Sequence, residues 1–207
     1  MDDDTAANGE VPDCWNEETL GVTGCTRCPG LVESRSQIVD GVGPADADLL
    51  FVGEAPGATE DREGEPFVGR SGDVLDEALR DVGLAREDVR ITNCARCRPP
   101  DNRDPTAEEL DNCRVYLDRE TEAVDPELVV TLGKVPAEHL LDRSVAVTKE
   151  AGDIHDAELG GTTRPVLVCV HPAASLYDPS QLETFERTLE VAAEYAGDGG
   201  QSSLAEF

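Results

Sequence analysis

Lysine is almost missing from this chain: Lys134 and Lys149 are the only two, against fifteen arginines. Bases of both kinds number 17 against 45 acids, a formal charge of −28. That balance excludes the broadly basic surface by which most nucleic-acid-binding proteins hold phosphate. Long apolar runs are also lacking. None approaches the roughly 18 residues that a membrane-spanning helix needs. Met1 to Leu20 carries seven acids and no base. A secretory leader has a basic start and an apolar middle, so a cytoplasmic protein with no membrane partner is expected. High charge with few aromatics (4%) can mark disorder, but the regular apolar segments along the chain exclude it. The acidity fits a salt-rich cytoplasm, where the Debye length falls to about 3 Å and surface repulsion is screened. An extreme halophile is the expected source.

One stretch runs against the overall charge. Arg90 to Arg103 holds four arginines and one acid, Asp101, a local +3. Elsewhere short apolar strands alternate with helical patterns. Asp48–Gly53, Val89–Asn93, Leu128–Gly133 and Pro165–Val170 read as strands. Between and after them lie helices over Gly72–Val82, Thr106–Val124, Lys134–Leu141 and Pro179–Tyr195, the second opened by a Thr106/Glu109 capping box. Residues 1–20 read as an acidic, disordered lead-in, 21–196 as one domain and 197–207 as a flexible tail. Such alternation predicts a three-layer α/β/α sandwich around a mostly parallel four-stranded sheet. In open sheets of this kind ligands bind beyond the carboxyl ends of the strands. Here those ends carry Gly53-Glu54-Ala55-Pro56-Gly57, Asn93, Gly133-Lys134 and His171-Pro172, which points to one composite site.

Seven cysteines in a cytosolic chain point to metal or cluster ligation rather than disulfides. Cys25 and Cys28 form a CxxC pair. Cys94 and Cys97 form another, and the two pairs together would read as a structural zinc site. Equally, Cys97 could act with Cys113 in the following helix. Spacing leaves both open. Cys169, within a strand, reads as a small buried hydrophobe, and Cys14 as a free thiol. His139, in a helix, and His155, in a loop, have no motif around them.

Four segments, in this order, resemble the family-4 uracil-DNA glycosylases, the thermostable iron-sulfur type. They are Gly53–Gly57 with Glu60-Asp61 and Gly64-Glu65-Pro66-Phe67-Val68-Gly69; Ile91-Thr92-Asn93 with Cys97-Arg98-Pro99-Pro100 and Asn102-Arg103; Leu132-Gly133; and His171-Pro172. The resemblance covers about residues 22–195 and implies the uracil-DNA glycosylase fold. It implies a monomer acting on uracil-containing DNA and a four-iron four-sulfur cluster on Cys25, Cys28, Cys97 and Cys113, with Cys94 left out. Phe67 matches the aromatic that stacks on flipped uracil, and Asn93 the residue that reads its Watson–Crick edge. Gly53, Ala55 and Glu60 match the rest of the base pocket. Glu54 and Asn102 match groups beside the attacking water, and His171 the residue facing uracil O2, where the leaving base gains charge. The chemistry agrees: an amide offers both donor and acceptor to uracil, and a carboxylate orients water and stabilises a cationic sugar.

The chain departs from the family pattern after His171-Pro172. Ala174 stands where a bulkier residue is usual, and Tyr177 where arginine is, leaving Leu176 as the candidate wedge into the duplex. Three other functions compete with this one. A relative that traps uracil-DNA covalently carries glutamine in the first motif and a histidine-bearing basic insertion; Ala55 and the uninterrupted Asn93–Cys113 stretch oppose it. A broader-specificity iron-sulfur glycosylase resembles GEAPA in the first motif, where this chain has Gly57. A zinc-ribbon interaction module would follow from the alternative cysteine pairing.

Overall fold

Strand β3 (Leu49–Gly53) is an inner strand of the sheet and shows how the layers form. The computed structural model describes residues 14–196. All five residues of β3 are buried, and successive side chains point to opposite faces. Leu49 and Phe51 join one apolar cluster with Leu75 and Leu79 of α3 (Arg70–Asp81) and Phe185 and Leu189 of α7 (Ser180–Ala193). Leu50 and Val52 join another with Leu110 and Leu117 of α4 (Ala107–Val124) and Leu140 of α5 (Lys134–Leu141). Helices therefore cover both faces, as the alternation predicted.

The sheet has five strands, not four. Their order is β4 (Arg90–Asn93), β3, β5 (Leu128–Leu132), β7 (Thr162–Cys169) and β6 (Ile154–Leu159). The first four are parallel, and β6 runs antiparallel to β7. The unexpected strand, β6, is the outer arm of an edge hairpin and has only Ala157 and Leu159 buried, so its apolar signal is weak. It also moves His155 from the expected loop into a strand. Short helices α1 (Pro29–Ser34), α2 (Ala58–Glu63) and α6 (Val147–Glu150) complete the set. The capping box of α4 forms as expected: Glu109 N–H donates to Thr106 Oγ1 at 3.2 Å, and Thr106 N–H to Glu109 Oε2 at 2.8 Å. No described helix is long and apolar enough to cross a membrane.

The lead-in needs correcting at its inner end. Strands β1 (Trp15–Asn16) and β2 (Gly21–Val22) form a small antiparallel hairpin. Trp15 stacks on Tyr116 of α4, ring centroids 6.4 Å apart, and Leu20 is buried with Ala47 and Val124. Chain that is packed on the domain therefore begins before residue 21. Residues 1–13 and the tail expected at 197–207 lie outside the described residues.

Trp15 also lies under the guanidinium of Arg96, which crosses its ring at 5.6 Å. Arg96 is part of a buried charge chain. Glu120 Oε2 accepts from Arg96 Nη2 and Glu120 Oε1 from Arg90 Nε, both at 2.7 Å, while Arg96 Nη1 reaches Asp40 Oδ1 at 2.7 Å. The Glu120 side chain is fully buried. Removing it takes the carboxylate from the buried Arg90 and leaves Arg96 with Asp40 alone. Glu120→Ala is therefore expected to cost about 3–5 kcal/mol of stability, read by denaturant unfolding in molar salt; a loss under about 1 kcal/mol would show that water already screens the pair.

Candidate active site

The carboxyl ends of β3, β4 and β7 open into one pocket of about 310 Å³, lined by Glu54, Ala55, Gly57, Glu60, Phe67, Ser71, Asn93, Asn102 and His171. Seven of these are site residues expected from sequence, drawn from three of the four motif segments. The eighth expected residue, Gly53, forms the floor beneath them. It pairs in register with Asn93, and a Cβ there would lie 2.4 Å from Asn93 Oδ1 and 2.6 Å from the Phe67 ring. Only glycine lets the amide and the aromatic approach so closely. Beyond the strand ends, Cys94 N–H donates to Gly53 O and Ala95 N–H to Glu54 O, both at 2.9 Å, which carries the pairing forward and fixes the Glu54 backbone.

Asn93 is 2% exposed, and its Oδ1 has no partner. A buried acceptor left unpaired costs about 1–3 kcal/mol, and such groups mark places where a ligand supplies the missing donor. Phe67 stands 6.0 Å from the His171 ring, centroid to centroid. His171 Nδ1 accepts from Ala173 N–H at 3.0 Å. Burial pushes its pKa down, so the neutral ring carries its proton on Nε2. Glu60 Oε1 accepts from Gly69 N–H at 3.1 Å, tying α2 to the start of α3 across the pocket rim.

Glu54 is strongly perturbed. Burial, and then the nearby Asp104 carboxyl, push its pKa up to about 7. Asp104 follows a tight turn in which Asp101 and Asn102 both adopt left-handed backbone, φ 55° and 53°. Asn102 Oδ1 accepts from Arg98 Nε at 2.7 Å. Sequence reasoning missed Ser71, Asp104 and Arg98. Ser71 sits at the opening turn of α3, and a helix start aimed at a strand end is a usable signal. The Asp104 contact depends on a turn conformation that no motif spelled out. Leu176 and Tyr177 are 41% and 80% exposed on the turn after His171.

The cysteines form a separate constellation. Cys25, Cys28, Cys97 and Cys113 are near enough that Cys25 alters the ionisation of each of the other three, although burial is the main cause that raises them, Cys113 to about 12. Each sulfur also accepts one hydrogen bond from a different donor. Tyr116 Oη donates to Cys25 at 3.3 Å, Asn112 Nδ2 to Cys28 at 3.6 Å, Arg35 Nη1 to Cys97 at 2.8 Å and Arg96 N–H to Cys113 at 3.4 Å. Thiolates that ligate a cluster take such bonds, so the donor set fits one. Among the described residues no three His, Cys, Asp or Glu side chains stand where they could hold one metal ion. Cys94 is instead fully buried in the apolar cluster with Leu50, Val52 and Leu117, as is Cys169 on the other face. Cys14 Sγ lies 2.9 Å from Tyr116 Oη, so it is not solitary.

Comparison with known proteins agrees with this geometry. Residues 41–194 match the uracil DNA glycosylase superfamily. The chain is 41% identical over 180 residues to a type-4 uracil-DNA glycosylase of Archaeoglobus fulgidus, covering 85% of this chain and 90% of that protein. It is 43% identical over 157 residues to the type-4 enzyme of Thermotoga maritima, covering 75% and 80%. A type-5 uracil-DNA glycosylase of Pyrobaculum aerophilum is 32% identical over 225 aligned positions, covering 94% and 98%.

Proposed function

The chain belongs to the type-4 uracil-DNA glycosylases, and from that premise we propose how its residues flip uracil out of DNA and hydrolyse the bond to deoxyribose. The observation that carries the reading is the orphaned Asn93 Oδ1 beside the Phe67 ring. A flipped uracil stacks on Phe67 and donates N3–H to that oxygen, while the amide nitrogen donates to O4. Glu60 and the loop it braces bound the base on its open side. Glu54, with Asn102 beside it, orients the attacking water. The same carboxylate stabilises the cationic sugar. His171 donates from Nε2 to O2 as the base leaves as an anion.

Cys25, Cys28, Cys97 and Cys113 are the residues that would hold a four-iron four-sulfur cluster, and the single donor on each sulfur supports that assignment. Such a group supplies cross-linking of α1, the β4–α4 connection and α4; hydrolysis itself moves no electrons. Arg98 is the candidate phosphate contact in the one stretch with positive balance, since the Arg103 guanidinium is paired with both Glu109 oxygens. The identity of 41–43% to type-4 enzymes against 32% to a type-5 enzyme favours the narrower, uracil-directed reading over the broader one.

The test is excision from duplexes containing U·G, U·A or T·G pairs in molar potassium chloride. Uracil release from both pairs, with thymine retained, is expected. Asn93→Asp is expected to weaken uracil excision and to release cytosine, because a carboxylate accepts from the cytosine amine but cannot donate to O4. Efficient thymine release, or an Asn93→Asp enzyme with unchanged selectivity, would sink the reading of the pocket.

A further inference from the structure

Phe67 does not sit in a relaxed backbone. Its φ is 53°, in the left-handed region that costs a bulky residue energy. Strain of that kind persists only where surrounding contacts hold it. Two contacts do so here. At Gly72, in the first turn of α3, a Cβ would lie 1.8 Å from the Phe67 carbonyl oxygen, so the helix packs directly against the turn. The second contact is Arg86, between α3 and β4. Its Nη1 donates to Phe67 O at 3.1 Å, and its Nη2 donates to Pro66 O. Nη1 also meets Asp76 Oδ1 of α3 at 3.1 Å, and the Arg86 side chain is one-fifth exposed. One guanidinium thus grips two consecutive carbonyls of the strained turn and is itself oriented by the helix behind it. A planar fork suits that task and a lysine does not.

We propose that Arg86 is a positioning residue for base recognition: it clamps the Pro66–Phe67 turn so that the Phe67 ring is set, before DNA arrives, at the place where the flipped base stacks. The proposal rests on the reading of Phe67 as the stacking platform. It predicts a particular division of effects. Loosening the clamp makes each binding event pay for ordering the ring, and that cost falls on affinity more than on the chemical step. Nothing in the Arg86 contacts touches Glu54 or His171.

The experiment measures KM and saturated single-turnover rate on a uracil-containing duplex for Arg86→Ala, Arg86→Lys, Phe67→Ala and the Arg86→Ala/Phe67→Ala double variant. Arg86→Ala is expected to raise KM about tenfold, with the saturated rate little changed. Arg86→Lys, able to reach one carbonyl, should fall between. In the Phe67→Ala background the Arg86 change should add nothing, because the platform is already gone. Should Arg86→Ala not fold, Arg86→Lys and Asp76→Asn, which frees the guanidinium from α3, carry the same test in smaller measure. A loss that persists undiminished without Phe67, or a shallower salt dependence of binding, would make Arg86 a phosphate contact and overturn the proposal. Wild-type KM in the Arg86 variants beside an impaired Phe67→Ala overturns the clamp alone. A Phe67→Ala enzyme with normal KM overturns the stacking reading and the clamp with it.

Discussion

Glu54→Ala and His171→Ala are each expected to slow single-turnover uracil excision by about 10²-fold or more, with DNA affinity little changed. Both side chains face charge that exists only as the bond breaks: a cationic sugar on one side, an anionic base on the other. Groups that meet charge only in the transition state alter turnover, not binding. The pH profile separates the two. Burial and Asp104 place the Glu54 ionisation at about 7, and the carboxylate is the working form, so the rate should climb as pH rises through neutrality. His171 is pushed the other way by burial and stays neutral across that range, so it contributes no limb there. The same shift has a cost in stability. A carboxyl whose folded pKa is raised stabilises the fold fully below its unfolded pKa and loses that contribution as pH rises through the folded value. Glu54→Gln should therefore be more stable than the parent in mild alkali and indistinguishable from it in acid. Alanine variants that cleave at parental rates, or an acid limb that survives in Glu54→Gln, would move the chemistry to other residues.

Asp104 is the neighbour that adds to the effect of burial on Glu54, and its case shows where reading a sequence stops. The layers were legible because β3, β5 and β7 are dense in Val and Leu and the helices between them repeat at helical spacing. The strand ends were legible as a site because each carries a polar or glycine-rich motif, and seven of the eight expected residues do line one pocket. What was not legible depends on contacts that leave no period or motif. Strand β6 alternates imperfectly, with His155, Asp156 and Glu158 exposed or half-buried on an edge, and it looks like loop. Trp15 lies in an acidic run whose composition reads as disorder, yet one aromatic and one arginine suffice to anchor it. Arg86 binds carbonyls, which every residue has, so nothing in its own neighbourhood announces the partner. The choice among the cysteines lay open on spacing because two CxxC pairs compete. Packing separates them: Cys94 turns into the core behind β4, whereas Cys97, three residues on, meets Arg35 and faces Cys25 and Cys28.

That separation yields the second large expected effect. The purified protein is expected to be brown, with about four irons per chain; Cys113→Ala should lose iron and colour and be much less stable, whereas Cys94→Ala should keep the iron. The reasoning is geometric. Cys113 is carried by α4, while Cys25 and Cys28 precede α1 and Cys97 follows β4, so a group bound by all four would tie three segments of the chain together. Arg96 adds to the coupling: its backbone N–H bonds Cys113 Sγ while its guanidinium belongs to the buried chain through Glu120. Loss of the fourth ligand should loosen that chain as well, and stability measured with and without bound iron should differ far less in Cys113→Ala than in the parent. Cys94 is instead buried in the apolar cluster with Leu50, Val52 and Leu117. One zinc per chain, lost on Cys94→Ala and retained in Cys113→Ala, would overturn the ligand assignment and return the site to the paired CxxC arrangement.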